Sequence, residues 1–102
     1  RFYHHHHHSL SGEVCLTELP DTLRLLDLSV NEFCGCIDVS CLPEKLHSLY
    51  LHDNNFEGVI DFANLSRALR WFNVSHTRIA GEVHVFHGVT LTINGSEVVD
   101  FR

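Results

Sequence analysis

The chain has 102 residues, 13 Asp and Glu against 7 Lys and Arg, and a formal net charge of −6 with its ten histidines neutral. That acidic balance, with the cations scattered along the chain, argues against nucleic acid or an anionic membrane surface as partner, because both are recognised through clustered Lys and Arg. No apolar run approaches the length of a membrane span, and the start does not resemble a secretory signal.

A period of 23 residues orders the chain, most plainly at Leu23, Leu46 and Leu69, each of which opens the pattern L-x-x-[L/F]-x-[L/V]-x-x-[N/T]-x-[F/I]-x-G. Residues 1–22 read as a partial unit: Tyr3 stands one period before Leu26, His5 before Leu28 and His8 before Asn31, with Leu10 and Gly12 continuing in register. The unit 23–45 carries Leu23, Leu26, Leu28, Asn31, Phe33, Gly35, Ile37, Asp38 and Leu42. In 46–68 the same places hold Leu46, Leu49, Leu51, Asn54, Phe56, Gly58, Ile60, Asp61 and Leu65. The unit 69–88 is softer, with Leu69, Phe72, Val74, Thr77, Ile79, Gly81 and Val83. Leu91, Ile93, Ser96 and Val98 then align only if four residues are deleted, since Phe72 to Leu91 spans 19 rather than 23, so 89–102 reads as a shortened closing unit. Arg1 falls inside a unit, and the chain is expected to be a fragment or a short product of a longer repeat gene.

A unit this short buries its apolar side only against its neighbours, which makes the whole chain one repeat solenoid. Each L-x-L core is read as a strand, because its two leucines must share a face while the residue between them points away. Asn31 and Asn54 sit where the chain leaves the strand, and their amides can satisfy backbone groups of their own and adjacent turns. Thr77 replaces part of that bonding and should make a weaker rung. Gly35, Gly58 and Gly81 mark a bend that a side chain or a negative φ would obstruct. In the return half, Pro20 and Pro43 and the short arc favour an extended segment with a 3-10 turn over a full helix.

The stretch from Leu42 to Asp61, LPEKLHSLYLHDNNFEGVID, resembles leucine-rich repeat proteins, and the resemblance covers nearly the whole chain. The Gly-x-Ile after the Asn turn is similar to the plant-type class. That class, however, carries Pro where this chain has Asp38 and Asp61, and its period is one residue longer. The units are more similar to those of the leucine-rich repeat proteins of trypanosomatid protozoa, which run LP-x-x-L with G-x-[I/V/L]-D. The resemblance implies an α/β-type repeat solenoid with one short parallel strand per repeat on a concave face and extended or 3-10 segments on the convex face. It also implies a protein-recognition scaffold without intrinsic catalysis, and it carries over no catalytic residue and no cofactor.

Solenoid partners usually bind the concave face, formed by the strand side chains pointing away from the core. In columns this face reads Leu25, Ser48, Trp71 and Thr90; Asp27, Tyr50, Asn73 and Thr92; Ser29, His52, Ser75 and Asn94; and Val30, Asp53, His76 and Gly95. Trp71 and Tyr50, flanked by His52, Asp53 and His76, with Asp27 and Asn73 beside them, have the aromatic and polar makeup of an interaction hot spot. Solvated strand residues with no partner are the plainer reading. Sequons at Asn64, Asn73 and Asn94 outnumber the roughly one expected by chance and point to a secreted or surface protein; the alternative function is a surface antigen or display array without a defined partner, whose glycans at Asn73 and Asn94 would cover the concave face.

Five consecutive imidazoles, His4, His5, His6, His7 and His8, invite a metal reading. An affinity tag competes with it, and so does a worn first repeat. The unbroken register of the flanking residues favours the worn repeat, because a tag has no reason to keep register. Cys15, Cys34, Cys36 and Cys41 do not match paired zinc-ligand spacing. Cys34 and Cys36 flank Gly35, so a bond between them would be strained, and free thiols are expected. There is no phosphate-cradling Gly loop, no nucleophile elbow and no HExxH, so no enzyme activity is expected.

Overall fold

The structure, a computed structural model, describes residues 2–4, 11–14, 16, 19–84 and 88–102. Its strands in chain order are β1 (Phe2–His4), β2 (Ser11–Glu13), β3 (Leu25–Asp27), β4 (Glu32–Cys36), β5 (Ser48–Tyr50), β6 (Asn55–Val59), β7 (Trp71–Asn73), β8 (Arg78–Val83), β9 (Thr90–Thr92) and β10 (Glu97–Asp100). The odd-numbered strands form one parallel sheet in the order β1-β3-β5-β7-β9. Its register follows the sequence period: Tyr3 lies opposite Leu26, Leu26 opposite Leu49, Leu49 opposite Phe72, and Phe72 opposite Leu91. Strand alternation turns Leu26, Leu49 and Phe72 inward, where each is at most 1% exposed. Leu28, Leu51 and Val74 continue the core past the strand ends.

The fold is a parallel-strand β-solenoid, which corrects the α/β-type expectation. Among the described residues there is no α-helix, and helical turns are limited to the 3-10 segments Val39–Cys41 and Phe62–Asn64. The chain leaving each Asn turn forms instead a second parallel sheet, β10-β8-β6-β4-β2. The arc left for the return is too short for a helix, and each 3-10 segment is started by an aspartate. Asp38 Oδ1 accepts from Ser40 N at 2.9 Å and Ser40 Oγ at 2.6 Å, and Asp61 Oδ1 accepts from Ala63 N at 3.1 Å. These carboxylates occupy N-cap positions, which explains Asp at the places where the plant-type pattern has Pro. The turns also bury Val39 and Phe62, which together with Leu16 make a core column at period spacing that the sequence reading did not single out.

The second sheet pairs differently from the first. Ser11 lies opposite Glu32, Cys34 opposite Asn55 and Glu57 opposite Arg78, each a separation of 21 residues rather than the 23 of the first sheet. A slip of two keeps every side chain on its face, whereas a slip of one would turn the core outward. It also sets each inward-facing glycine against a bulky core residue of the next turn: Gly35 against Phe56, Gly58 against Ile79, and Gly81 against Val98. Gly81 is the tightest case. It has φ +146, and a Cβ there would stand 2.7 Å from Ile60 O.

Asn54 ties two turns together. Its Nδ2 donates to Leu28 O at 2.7 Å and to Leu51 O and His52 O at 3.2 Å, and its Oδ1 accepts from Phe33 N at 3.0 Å. Asn31 Nδ2 donates to Leu28 O and Ser29 O, both at 3.1 Å. Thr77 Oγ1 donates to Val74 O at 2.6 Å and accepts from Ile79 N at 3.3 Å, and Ser96 repeats this with Ile93 O and Val98 N. A hydroxyl thus serves its own turn, while the longer amide also reaches the preceding one.

Just before each of these residues the backbone turns left-handed, at Val30 (φ 59), Asp53 (φ 58), His76 (φ 53) and Gly95 (φ 75). Asp, His and Gly tolerate that region, but a β-branched residue there is strained. Replacing Val30 by Asn is expected to raise stability by about 1 kcal/mol, read as a higher urea midpoint. An unchanged midpoint would show that the Val30 side chain contributes as much packing as the strain costs.

Candidate functional site: the outer face of the first sheet

The side chains of the first sheet that point away from the core meet across the strands. Ser48 lies opposite Trp71 and Trp71 opposite Thr90, while Asp27, Tyr50, Asn73 and Thr92 form the next row. Trp71 is 46% exposed, a large apolar surface left in solvent beside half-buried Tyr50. Tyr50 and His52 meet edge to face with ring centroids 6.2 Å apart. The face therefore brings Trp71, Tyr50 and His52 into adjoining positions, and Asp53 and His76 stand exposed at the left-handed turns just beyond them.

Other outward residues have work within the solenoid. Asp27 Oδ1 accepts from Ser29 N at 3.0 Å and Ser29 Oγ at 2.5 Å, and Asn73 Oδ1 accepts from Ser75 N at 3.0 Å and Ser75 Oγ at 2.7 Å. Each closes the turn at its own strand end. Ser29, Ser48 and Ser75, expected on the outer face, are buried at 4 to 6% exposure, because short side chains sink between their larger neighbours. The sequons differ in access. Asn64 is exposed, with Nδ2 donating to Asp61 Oδ2 at 2.7 Å, Asn94 is exposed in a turn, and Asn73 is half-buried.

His52 sits partly buried on this face. Burial lowers its pKa below the ordinary 6.5, against the opposing pull of Asp53 and Asp27, while His76 adds to the lowering. Its Nδ1 is buried without a hydrogen-bond partner, which favours the neutral ring. With the folded pKa depressed, the unfolded chain binds more protons below 6.5, so this contribution to stability is present above 6.5 and lost as pH falls through the depressed value. Urea unfolding on either side of 6.5 is expected to show a smaller acid-side loss in His52→Asn than in the wild type. Equal losses would remove His52 as a source of the pH dependence.

Arg24, His47 and Arg70, which the sequence reading passed over, occupy equivalent places immediately before the strands and are all exposed. The backbone there is held by shared carbonyls: Arg24 O accepts from His47 N at 2.7 Å and Ser48 N at 3.0 Å, and His47 O accepts from Arg70 N at 2.8 Å and Trp71 N at 3.2 Å. The signal was present in the sequence as a basic column one period apart, outside the stretch counted as strand. The face thus has a basic leading rim and, at Asp53, an acidic trailing one.

Of the histidine tract, His4 belongs to β1 opposite Asp27, while His5 to His8, like Leu10 and Cys15, lie outside the described residues. Among the described residues no group of three His, Cys, Asp or Glu side chains is arranged to hold a metal ion, and no helix is long and apolar enough to cross a membrane.

Residues 45–65, which contain the whole of β5 and β6, match the family model described as Leucine Rich Repeat. No curated protein and no solved structure matches the chain. The family match agrees with the leucine positions, the Asn turn and the parallel strands, and it supports a leucine-rich repeat protein, a kind of repeat that generally binds proteins and is not catalytic.

Proposed function

We propose that this chain is a non-catalytic recognition module that binds a protein partner through the outer face of its first sheet, with Trp71 as the anchor. The observation that carries the reading is the exposure of Trp71 beside Tyr50, since half-exposed aromatic side chains on a rigid sheet offer contact area at little entropic cost. Five strands about 4.8 Å apart, each about 10 Å long, make a strip of roughly 240 Å². A standard interface needs about 800 Å² per partner. Recognition must therefore extend over both rims, to Arg24, His47 and Arg70 on one side and Asp53 and His76 on the other. The opposite charges of Arg24 and Arg70 on one rim and Asp53 on the other would fix the orientation of a partner more than its affinity. Asp27 and Asn73 contribute at the margin, since their oxygens already serve Ser29 and Ser75. The Gly-x-Ile-Asp signatures at 35–38 and 58–61 support placing the repeats nearest the trypanosomatid type.

Trp71→Ala is expected to weaken binding to an affinity-captured partner by about 2 kcal/mol or more, with an unfolding midpoint close to wild type because the side chain is 46% exposed. Equal loss of fold and binding would make Trp71 a structural cover. Glycans on Asn73 in the native protein would mask the face and favour display over recognition.

A further inference from the structure

The outer face of the second sheet carries chemistry that partner recognition does not use. In β4, exposure alternates so that Glu32, Cys34 and Cys36 face solvent while Phe33 and Gly35 turn toward the core. Both thiols are free and exposed. We propose that Cys34 and Cys36 form a two-thiolate site for one soft monovalent cation of the copper(I) class.

Distance decides between the bonds two such thiols can make. Two residues of strand separate them by about 6.6 Å, and both side chains stand exposed on either side of Gly35, whose φ is +110. A disulfide needs sulfurs about 2.05 Å apart and Cα atoms at most about 6.8 Å apart, so this pair sits at the edge of the range. An ion in linear coordination, with metal–sulfur bonds near the ~2.3 Å of zinc thiolates, needs its sulfurs about 4.6 Å apart. Each sulfur then leans in by about 1 Å, within the reach of a χ1 change at an exposed side chain. Among the described residues no third His, Cys, Asp or Glu joins the pair as a ligand, and two sulfurs alone offer linear coordination. Thiolate ligands select copper(I) over harder ions.

The surroundings suit a cation. Glu13 lies across from Cys34 and Glu57 across from Cys36, with Glu32 on the same face of β4. Arg78, next in the row beyond Glu57, offsets the single negative charge of the finished complex. The reaction is ligand exchange: two thiols lose two protons, two sulfur–metal bonds form, and neither sulfur nor metal changes oxidation state. Gly35 is fixed by its place opposite Phe56, so the two sulfurs are carried on a strand whose inner side is already packed.

The test is anaerobic titration of the reduced full chain with copper(I) against a chromogenic copper(I) chelator, following the ultraviolet sulfur-to-copper charge-transfer band. The band reports sulfur ligands, so ions held by His4 to His8 do not contribute to it. The expected result is one equivalent per chain retained against the chelator, with the band lost in Cys34→Ser and in Cys36→Ser and kept in Cys41→Ser and Cys15→Ser. Circular dichroism should be unchanged, because Cys34 and Cys36 are exposed. A band that survives in the Cys34→Ser, Cys36→Ser double variant, one lost instead with Cys41 or Cys15, or copper stripped equally from the wild type and the double variant would overturn the site.

Discussion

Asn54→Ala is expected to cost about 3–5 kcal/mol, several times an ordinary surface change, because one side chain serves four backbone groups across two turns. A buried polar group left without a partner costs about 1–3 kcal/mol, and the Phe33 N–H is the most exposed to that penalty. Leu28 O keeps the amide of Asn31, so the losses do not sum in full. Asn54→Asp should be no milder, since it removes the donors and sets a carboxylate among three carbonyl oxygens. Thr77→Ala loses contacts within a single turn and should cost clearly less. Urea unfolding of the three variants checks the order, and an Asn54→Ala cost no larger than that of Thr77→Ala would show that the bonds between turns contribute little.

The second large effect is expected at Phe56. Its ring is wholly buried, 6.3 Å from the ring of Phe33, and it stands opposite Gly35, which has no side chain to move into a gap. Phe56→Ala should cost about 3–5 kcal/mol, the upper range for a site that does not collapse. A domain with only about 5–15 kcal/mol of total stability is left marginal by that loss. In a stack where each turn touches only its neighbours, damage to a central turn also uncouples the two ends. Hydrogen exchange should therefore show the turn around Leu26 and the turn around Phe72 losing protection separately in this variant. Uniform loss along the chain would mean that the solenoid unfolds as one unit.

The sequence period made the first sheet legible because one column needs the same thing in every turn. Leu26, Leu49, Phe72 and Leu91 must all fill the same slot, and the four-residue deletion kept that register. Asn54 was legible for the same reason. The second sheet was not, because Glu32, Phe33, Cys34, Gly35 and Cys36 alternate in direction with only one large apolar residue, and the inward glycine hides the pattern. The left-handed column was hidden as well, since Val30, Asp53, His76 and Gly95 share a backbone angle but no chemistry. On the binding face, exposure of Trp71 follows from its place between core positions. The burial of Ser29, Ser48 and Ser75 does not, because it depends on the size of neighbours in adjacent turns.

The two registers set the shape of any stack built on this plan. Before the shortened last unit, the strands of both sheets recur every 23 residues, but residues paired across the first sheet are 23 apart and those paired across the second are 21 apart, so equivalent residues of the second sheet move about 6.6 Å along the strand with each turn while those of the first stay level. Turns related in this way differ by a rotation as well as a step. More of them would wind into a superhelix and carry the binding face around the axis like a ramp. A short, compact partner can sit on three or four rungs of such a surface, whereas an elongated one must coil with it.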